Sequence, residues 1–126
     1  MLHEKDFLGW LRNNQQMKAL FGSRIFWKLA PKKTAIPFMV LQDISARGFR
    51  EIDAACPRMQ LDCYSDNEFA VVELAEAVEK ELFGKAFVYG TTSFSSMLAE
   101  RAMVLRMEDG SFKVPVDIKL SCRRDA

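Results

Sequence analysis

Arg58-Met59-Gln60-Leu61-Asp62-Cys63-Tyr64 runs straight into Ser65-Asp66-Asn67-Glu68, and the reading of this joint decides the fold class. Met59, Leu61 and Cys63 share one side of an extended chain while Arg58, Gln60, Asp62 and Tyr64 share the other, which is the two-residue period of a strand. Ser65 is then spaced to cap a helix, its hydroxyl accepting from the backbone three residues on and Glu68 reaching back, the reciprocal capping box. Val71, Leu74, Ala75, Val78 and Leu82 follow on one helical face. Glu76 to Lys80 and Glu81 to Lys85 stand four apart with the acid first, and Gly84 supplies the stop.

Upstream of the joint, Phe7, Trp10, Leu11, Met17 and Phe21 recur at helical spacing before Gly22, so a helix is expected over Glu4 to Leu20, with Asn14 and Lys18 interrupting its apolar stripe. Ile25, Trp27 and Leu29 alternate in a strand from Arg24 to Leu29. A second strand, Phe38 to Ile44, opens at Pro37. Ser45 to Pro57 has the glycine, proline and mixed charge of a loop, at a length that usually marks function or mobility.

Downstream, Ala86 to Tyr89 reads as a short strand, and Ser93 to Leu98 is ambiguous. Ala102 to Met107 joins Phe112 to Cys122 through Asp109-Gly110, a hairpin signal. In that last strand Phe112, Val114, Val116, Ile118 and Leu120 alternate with Lys113, Pro115, Asp117, Lys119 and Ser121. Pro115 lacks a ladder donor, so the strand is expected to be an edge there or to carry a bulge. One helix between strands disfavours a crossover-rich parallel sheet. The expectation is an α+β fold, a mostly antiparallel sheet with two main helices packed on one face.

The chain has 126 residues, so it is read as one domain over residues 1–126. Lys plus Arg number 18 against 17 for Asp plus Glu, which excludes a broad electrostatic pull toward nucleic acid or anionic membrane. Cys56, Cys63 and Cys122 form an odd set without C-x-x-C spacing, and His3 is the one histidine, so neither a zinc site nor a disulfide framework is expected. No apolar run reaches membrane-spanning length and the first residues lack a signal-peptide core, which predicts a soluble, unexported protein with reduced thiols.

Candidate chemistry is sparse. A triad through His3 would sit in a segment prone to fray. Cys56 lies beside Pro57 and near Arg58, which favours a thiolate, but without a paired base it reads as an incidental small residue. Asp62, Asp66 and Glu73 suggest a metal cluster, although Asp66 and Glu68 already suit the positive end of a helix. Gly90 and Thr91 to Ser93 lack the lysine and spaced glycines of a phosphate loop. Arg123 and Arg124, with Lys119, are placed either to touch phosphates or to solubilise a tail, and so few charges release few counterions. Arg47, Phe49 and Arg50 put an aromatic between arginines, the composition of a protein contact or of an aromatic folded onto its own core.

The ordered features are similar to those of a known family: a leading helix, Gly22 before Arg24-Ile25-Phe26, Ala30-Pro31, Pro37-Phe38-Met39-Val40, a polar loop, Met59 to Tyr64, an alanine-rich capped helix, and the hairpin at Asp109-Gly110. The series resembles the phage tail-completion proteins, also called tail-to-head joining or tail-terminator proteins, over nearly the whole chain. The resemblance implies a non-enzymatic virion component, without cofactor, assembled in the bacterial host cytoplasm. It implies a homo-oligomeric, hexameric ring that ends tail-tube polymerisation and faces the head connector, without specific nucleic-acid or membrane binding. Arg47, Phe49, Arg50, Asp109, Arg123 and Arg124 are the expected subunit or tail-tube contacts. The rival expectation is a small cytoplasmic enzyme or ligand-binding protein working through residues 45–57, with Cys56 and Asp62.

Overall fold

The computed structural model describes residues 2–45, 48–49, 54–55 and 57–124; for 2–3, 45, 48–49, 54–55 and 124 it describes the backbone alone. The leading helix is two helices, α1 (Leu2–Asn13) and α2 (Gln15–Phe21). Asn14 is extended between them, and its Oδ1 accepts from the Met17 amide at 3.0 Å. A residue that caps well interrupts a helix for the same reason, because its side chain competes for backbone donors. Gly22 closes α2 at φ 62°, a conformation costly for other residues.

Strand β1 (Ile25–Trp27) joins β2 (Phe38–Ser45) in parallel, with Ile25 beside Met39 and Trp27 beside Leu41. Residues 28–37 make the return without a helix, turning through Lys28 and Lys33 in the left-handed region. The sheet is therefore mixed, and the expectation of a mostly antiparallel sheet is corrected at this edge. The strand expected to run through Leu29 ends at Trp27, and Leu29 is exposed.

The presumed loop over Ser45 to Pro57 is partly ladder: β3 (Gly48–Phe49) pairs antiparallel with β4 (Ala54–Ala55), and β4 also pairs with the last strand. The chain then enters β5 (Arg58–Ser65) and α3 (Glu68–Leu82). The cap of α3 is Asn67, not Ser65. Its Oδ1 accepts from the Phe69 and Ala70 amides at 2.9 and 3.0 Å, while Ser65 remains paired with Phe112 as the last, buried residue of β5. Gly84 turns the chain at φ 66° just beyond the helix.

β6 (Ala86–Tyr89) and β7 (Thr92–Arg101) form a hairpin, so the ambiguous segment is part of a ten-residue strand. β8 (Leu105–Arg106), shorter than the sequence suggests, leads through the Asp109-Gly110 turn into β9 (Phe112–Arg124). β9 is central, with β5 and β4 on one side and β7 and β8 on the other. Pro115 therefore sits neither at an edge nor in a bulge of its own strand. Its carbonyl accepts from the Ala102 amide at 2.8 Å, so its missing N–H points toward the same side, where residues 102–104 interrupt β7 and β8. The bulge lies in β7, between Ser96 and Leu98.

One side of the sheet carries Met39, Leu41, Met59, Leu61, Cys63, Val114, Val116, Ile118, Leu120 and Cys122, and these merge into a single core with Phe7, Leu11, Met17, Phe21, Val71, Ala75, Val78 and Leu82 from three helices rather than two. Trp10 stacks on Phe87 at 3.9 Å between ring centres, and Phe7 and Phe94 complete an aromatic cluster under α1. The Arg12 guanidinium donates twice to the Ile25 carbonyl and Thr92 Oγ1 donates to Asp6, tying α1 to both ends of the sheet.

Candidate functional site

Strand alternation sends one set of β5 and β9 side chains into the core and forces the other set onto a second face, outside the core cluster. Register builds that face in rows. Phe38 stands beside Tyr64 and Tyr64 beside Lys113; Val40 beside Asp62 and Asp62 beside Pro115; Gln42 beside Gln60 and Gln60 beside Asp117; and Arg58 beside Lys119. β7 extends two rows, with Glu100 beside Asp117 and Leu98 beside Lys119.

The first row is aromatic. Phe38 stacks on Tyr64 at 4.6 Å, Phe26 meets Phe38 edge-on at 6.5 Å, and the Lys113 ammonium lies 5.9 Å from the Tyr64 ring centre. Burial raises the Tyr64 phenol above its ordinary range, against the lowering influence of the Lys113 charge.

The second row holds a carboxylate that is only 1% exposed. Asp62 Oδ1 accepts from the Gln60 amide at 2.7 Å, Oδ2 accepts from the Gln42 amide at 3.1 Å, and Lys113 Nζ lies 3.4 Å away. A short side chain among Gln42, Gln60, Tyr64 and Lys113 is covered by their length, and a charge so covered persists only when paired. Asp62 is thereby committed to structure and is not poised as a base or metal ligand.

The last row is cationic. Arg58 and Lys119 lie directly cross-strand and are exposed, and Arg123 follows on the same phase of β9. None of the three forms an ion pair among the described residues. Like charges in direct register repel, so this row stands at a cost to the isolated subunit.

α3 presents the opposite sign. Glu68, Phe69, Glu73 and Glu76 are exposed, with Phe69 78% open to solvent. Glu76 pairs with Arg101 at 2.6 Å, and Glu79 accepts from the Arg101 amide, clamping α3 to β7. Asp66, Glu68 and Glu73 have no basic partner among the described residues.

Of the predicted contact residues that are described, Phe49, Arg123 and Arg124 come together at one end of the sheet, Phe49 standing opposite Ala54 and Ala54 opposite Arg123, while Asp109 lies apart. Arg123 is on the second face, and Arg124 is the next residue of β9, described by its backbone. Asp109 is in the turn before the opposite end of β9, whose run from Phe112 to Arg123 spans ~36 Å by strand rise, and its carboxylate, held low by hydrogen bonds from the Ser111 hydroxyl and amide, shapes the turn. Phe49 lies in the β3 ladder opposite Ala54; Arg47 and Arg50 lie outside the described residues, as does Cys56. Sequence reading did not single out Arg58, the aromatic row or the acidic stripe of α3. Equal phase and spacing of Lys119 and Arg123 hinted at the first, but its completion by Arg58 needs the β5–β9 register.

For chemistry the described residues offer little. Cys63 is fully buried, and burial, followed by the charge of Asp62, raises its thiol far above the usual range, the reverse of nucleophile activation. Asp62 and Glu73 are apart, one within the sheet face and one exposed on α3, and no group of three or more metal-capable side chains gathers among the described residues. A recess of about 460 Å³ lined by Glu79, Lys80, Phe83 and Ala99 is wide open to solvent, and Glu79 there already accepts from the Arg101 amide. Among the described residues no helix is long and apolar enough to cross a membrane.

The sequence matches the family of tail completion protein gp17 over residues 5–120. Among solved structures, a chain from the virion of a native gene transfer agent particle is 15% identical, with a TM-score of 0.72, over 95% of this chain and 93% of that one. A second solved chain is 12% identical with a TM-score of 0.63, over 98% of this chain and 92% of that one. At such identities the two likenesses speak for the fold. No curated protein matches this sequence.

Proposed function

The chain belongs to the tail completion protein gp17 family, and from that membership we propose that it is a structural subunit that closes a phage or prophage tail, forming a homo-oligomeric, hexameric ring that ends tube polymerisation and receives the head connector. The observation that carries this reading is the family match across 5–120, which spans all but the first residues of α1 and the last residues of β9. The site geometry supports it: the surface carries a half-buried aromatic row, an exposed cationic row and an exposed acidic helix stripe, the makings of protein contacts. Asp62 and Cys63, the most deeply buried reactive groups, are committed to packing.

Mechanistically the ring acts by shape. A subunit that offers the growing tube one matching face and lacks that match on the other allows no further addition. It needs no cofactor and no turnover. The ring is a virion component built in the host cytoplasm, and Asp109 at one end of β9 and Arg123 with Arg124 at the other are placed to meet different partners. Analytical ultracentrifugation of the purified chain, with electron microscopy of tail tubes incubated with it, tests the reading. Rings in solution or on tube ends are expected; a chain that stays monomeric at high concentration and never decorates a tube end refutes it.

A further inference from the structure

The cationic row and the acidic helix stripe lie on different parts of one subunit; among the described residues Arg58, Lys119 and Arg123 of the row and Asp66, Glu68 and Glu73 of the stripe have no ion-pair partner, whereas Glu76 is taken up by Arg101. Arg58 and Lys119 are held side by side by the β5–β9 register, so their repulsion is built into the sheet and cannot be relieved by a local shift of one strand. Arg123 continues the row, so Lys119 to Arg123 spans ~13 Å at strand rise. Glu68 to Glu73, the part of the α3 stripe not engaged by Arg101, spans ~8 Å at helical rise. The helix stripe also carries Phe69, an exposed aromatic of the kind that anchors interfaces, and the sheet row ends on half-buried Leu98 and exposed Met97. Asp117 and Glu100 lie one row inward, and so limit the cationic zone to the end of the face.

Resting on the ring reading above, we infer that the contact between neighbouring subunits is heterologous: Asp66, Glu68, Phe69 and Glu73 of one copy dock on Arg58, Lys119 and Arg123 of the next. The occupant is a second copy because the two zones are opposite in charge, and because each subunit exposes both. A patch docking on a different patch of the next copy is the contact that propagates head to tail and closes into a ring. Charge matching of this kind fixes register and speeds encounter.

The test uses two double variants of the full chain, Glu68→Lys with Glu73→Lys, and Arg58→Glu with Lys119→Glu. A milder sheet variant, Arg58→Gln with Lys119→Gln, serves if the reversal unfolds, as judged by circular dichroism. Assembly is read by sedimentation across protein and salt concentration. Each variant alone is expected to raise the concentration for half-assembly about tenfold or more, wild-type assembly is expected to weaken with salt, and an equimolar mixture of the two reversals is expected to assemble again. Unchanged assembly in either variant, or a mixture that fails to recover while the wild type forms rings, overturns this contact and leaves the ring reading standing. Loss of duplex-DNA retention by the sheet variant with assembly intact overturns it in favour of a nucleic-acid face. A wild type that neither assembles nor binds tubes removes both.

Discussion

Replacing Asp62 with Ala removes the acceptor at the centre of the second face and leaves three donors behind. The Gln42 and Gln60 amides lose their acceptor, and the Lys113 ammonium, on a side chain 18% exposed, loses its counter-charge. A buried donor left unsatisfied costs about 1–3 kcal/mol, and breaking a fully buried ion pair costs about 3–5 kcal/mol. Lys113 and both glutamines retain some access to water, so a total of about 2–4 kcal/mol is expected. For a domain of this size that corresponds to a fall in Tm of roughly 10 °C. Urea unfolding followed by tryptophan fluorescence, at one protein concentration because association also stabilises, gives the number. The pair Asp62→Leu with Lys113→Met is expected to recover more than half of the loss, because both charges leave together. A loss below about 1 kcal/mol for Asp62→Ala would contradict the inference that the carboxylate is buried and paired.

Asn67→Ala is expected to cost about 1 kcal/mol, read by the same unfolding assay, since two amides of α3 lose their acceptor; Ser65→Ala, by contrast, removes no α3 cap. Gly84→Ala is expected to cost about 1 kcal/mol from its left-handed backbone alone, as nothing lies within 4 Å of a Cβ there. Cys63 and Tyr64 both have folded pKa values raised by burial. Their contribution is complete below the unfolded values and declines as pH rises through and beyond them, so stability should fall above about pH 9. Cys63→Ser should move that fall to higher pH in an unfolding series; an unchanged profile would refute the assignment. Cys63 should also resist thiol reagents until the chain unfolds.

The strand and helix periods of β5, α3 and β9 were legible in the sequence because they arise from the geometry of a single segment. So was the end of α2 at Gly22 and the hairpin at Asp109-Gly110. The single helix over Glu4 to Leu20 failed at Asn14, whose capping competes with its place in the stripe, and the cap of α3 fell two residues late because Ser65 is held in the sheet by Phe112. Of the candidate site, the polar phase carrying Lys119 and Arg123 was visible, and the functional family was already suggested by the order of elements.

The sequence alone determined which residues share a phase, and therefore which must be buried on one side of each segment. Only the tertiary structure decided which segments meet: that β1 joins β2 in parallel, that β9 runs through the centre with Pro115 opposite a break in its neighbour, and that Arg58 stands beside Lys119. Phase follows from the backbone rise and twist of a few residues, whereas register is set by the joint packing of strands far apart in the chain, each weakly constrained until the shared core closes over them.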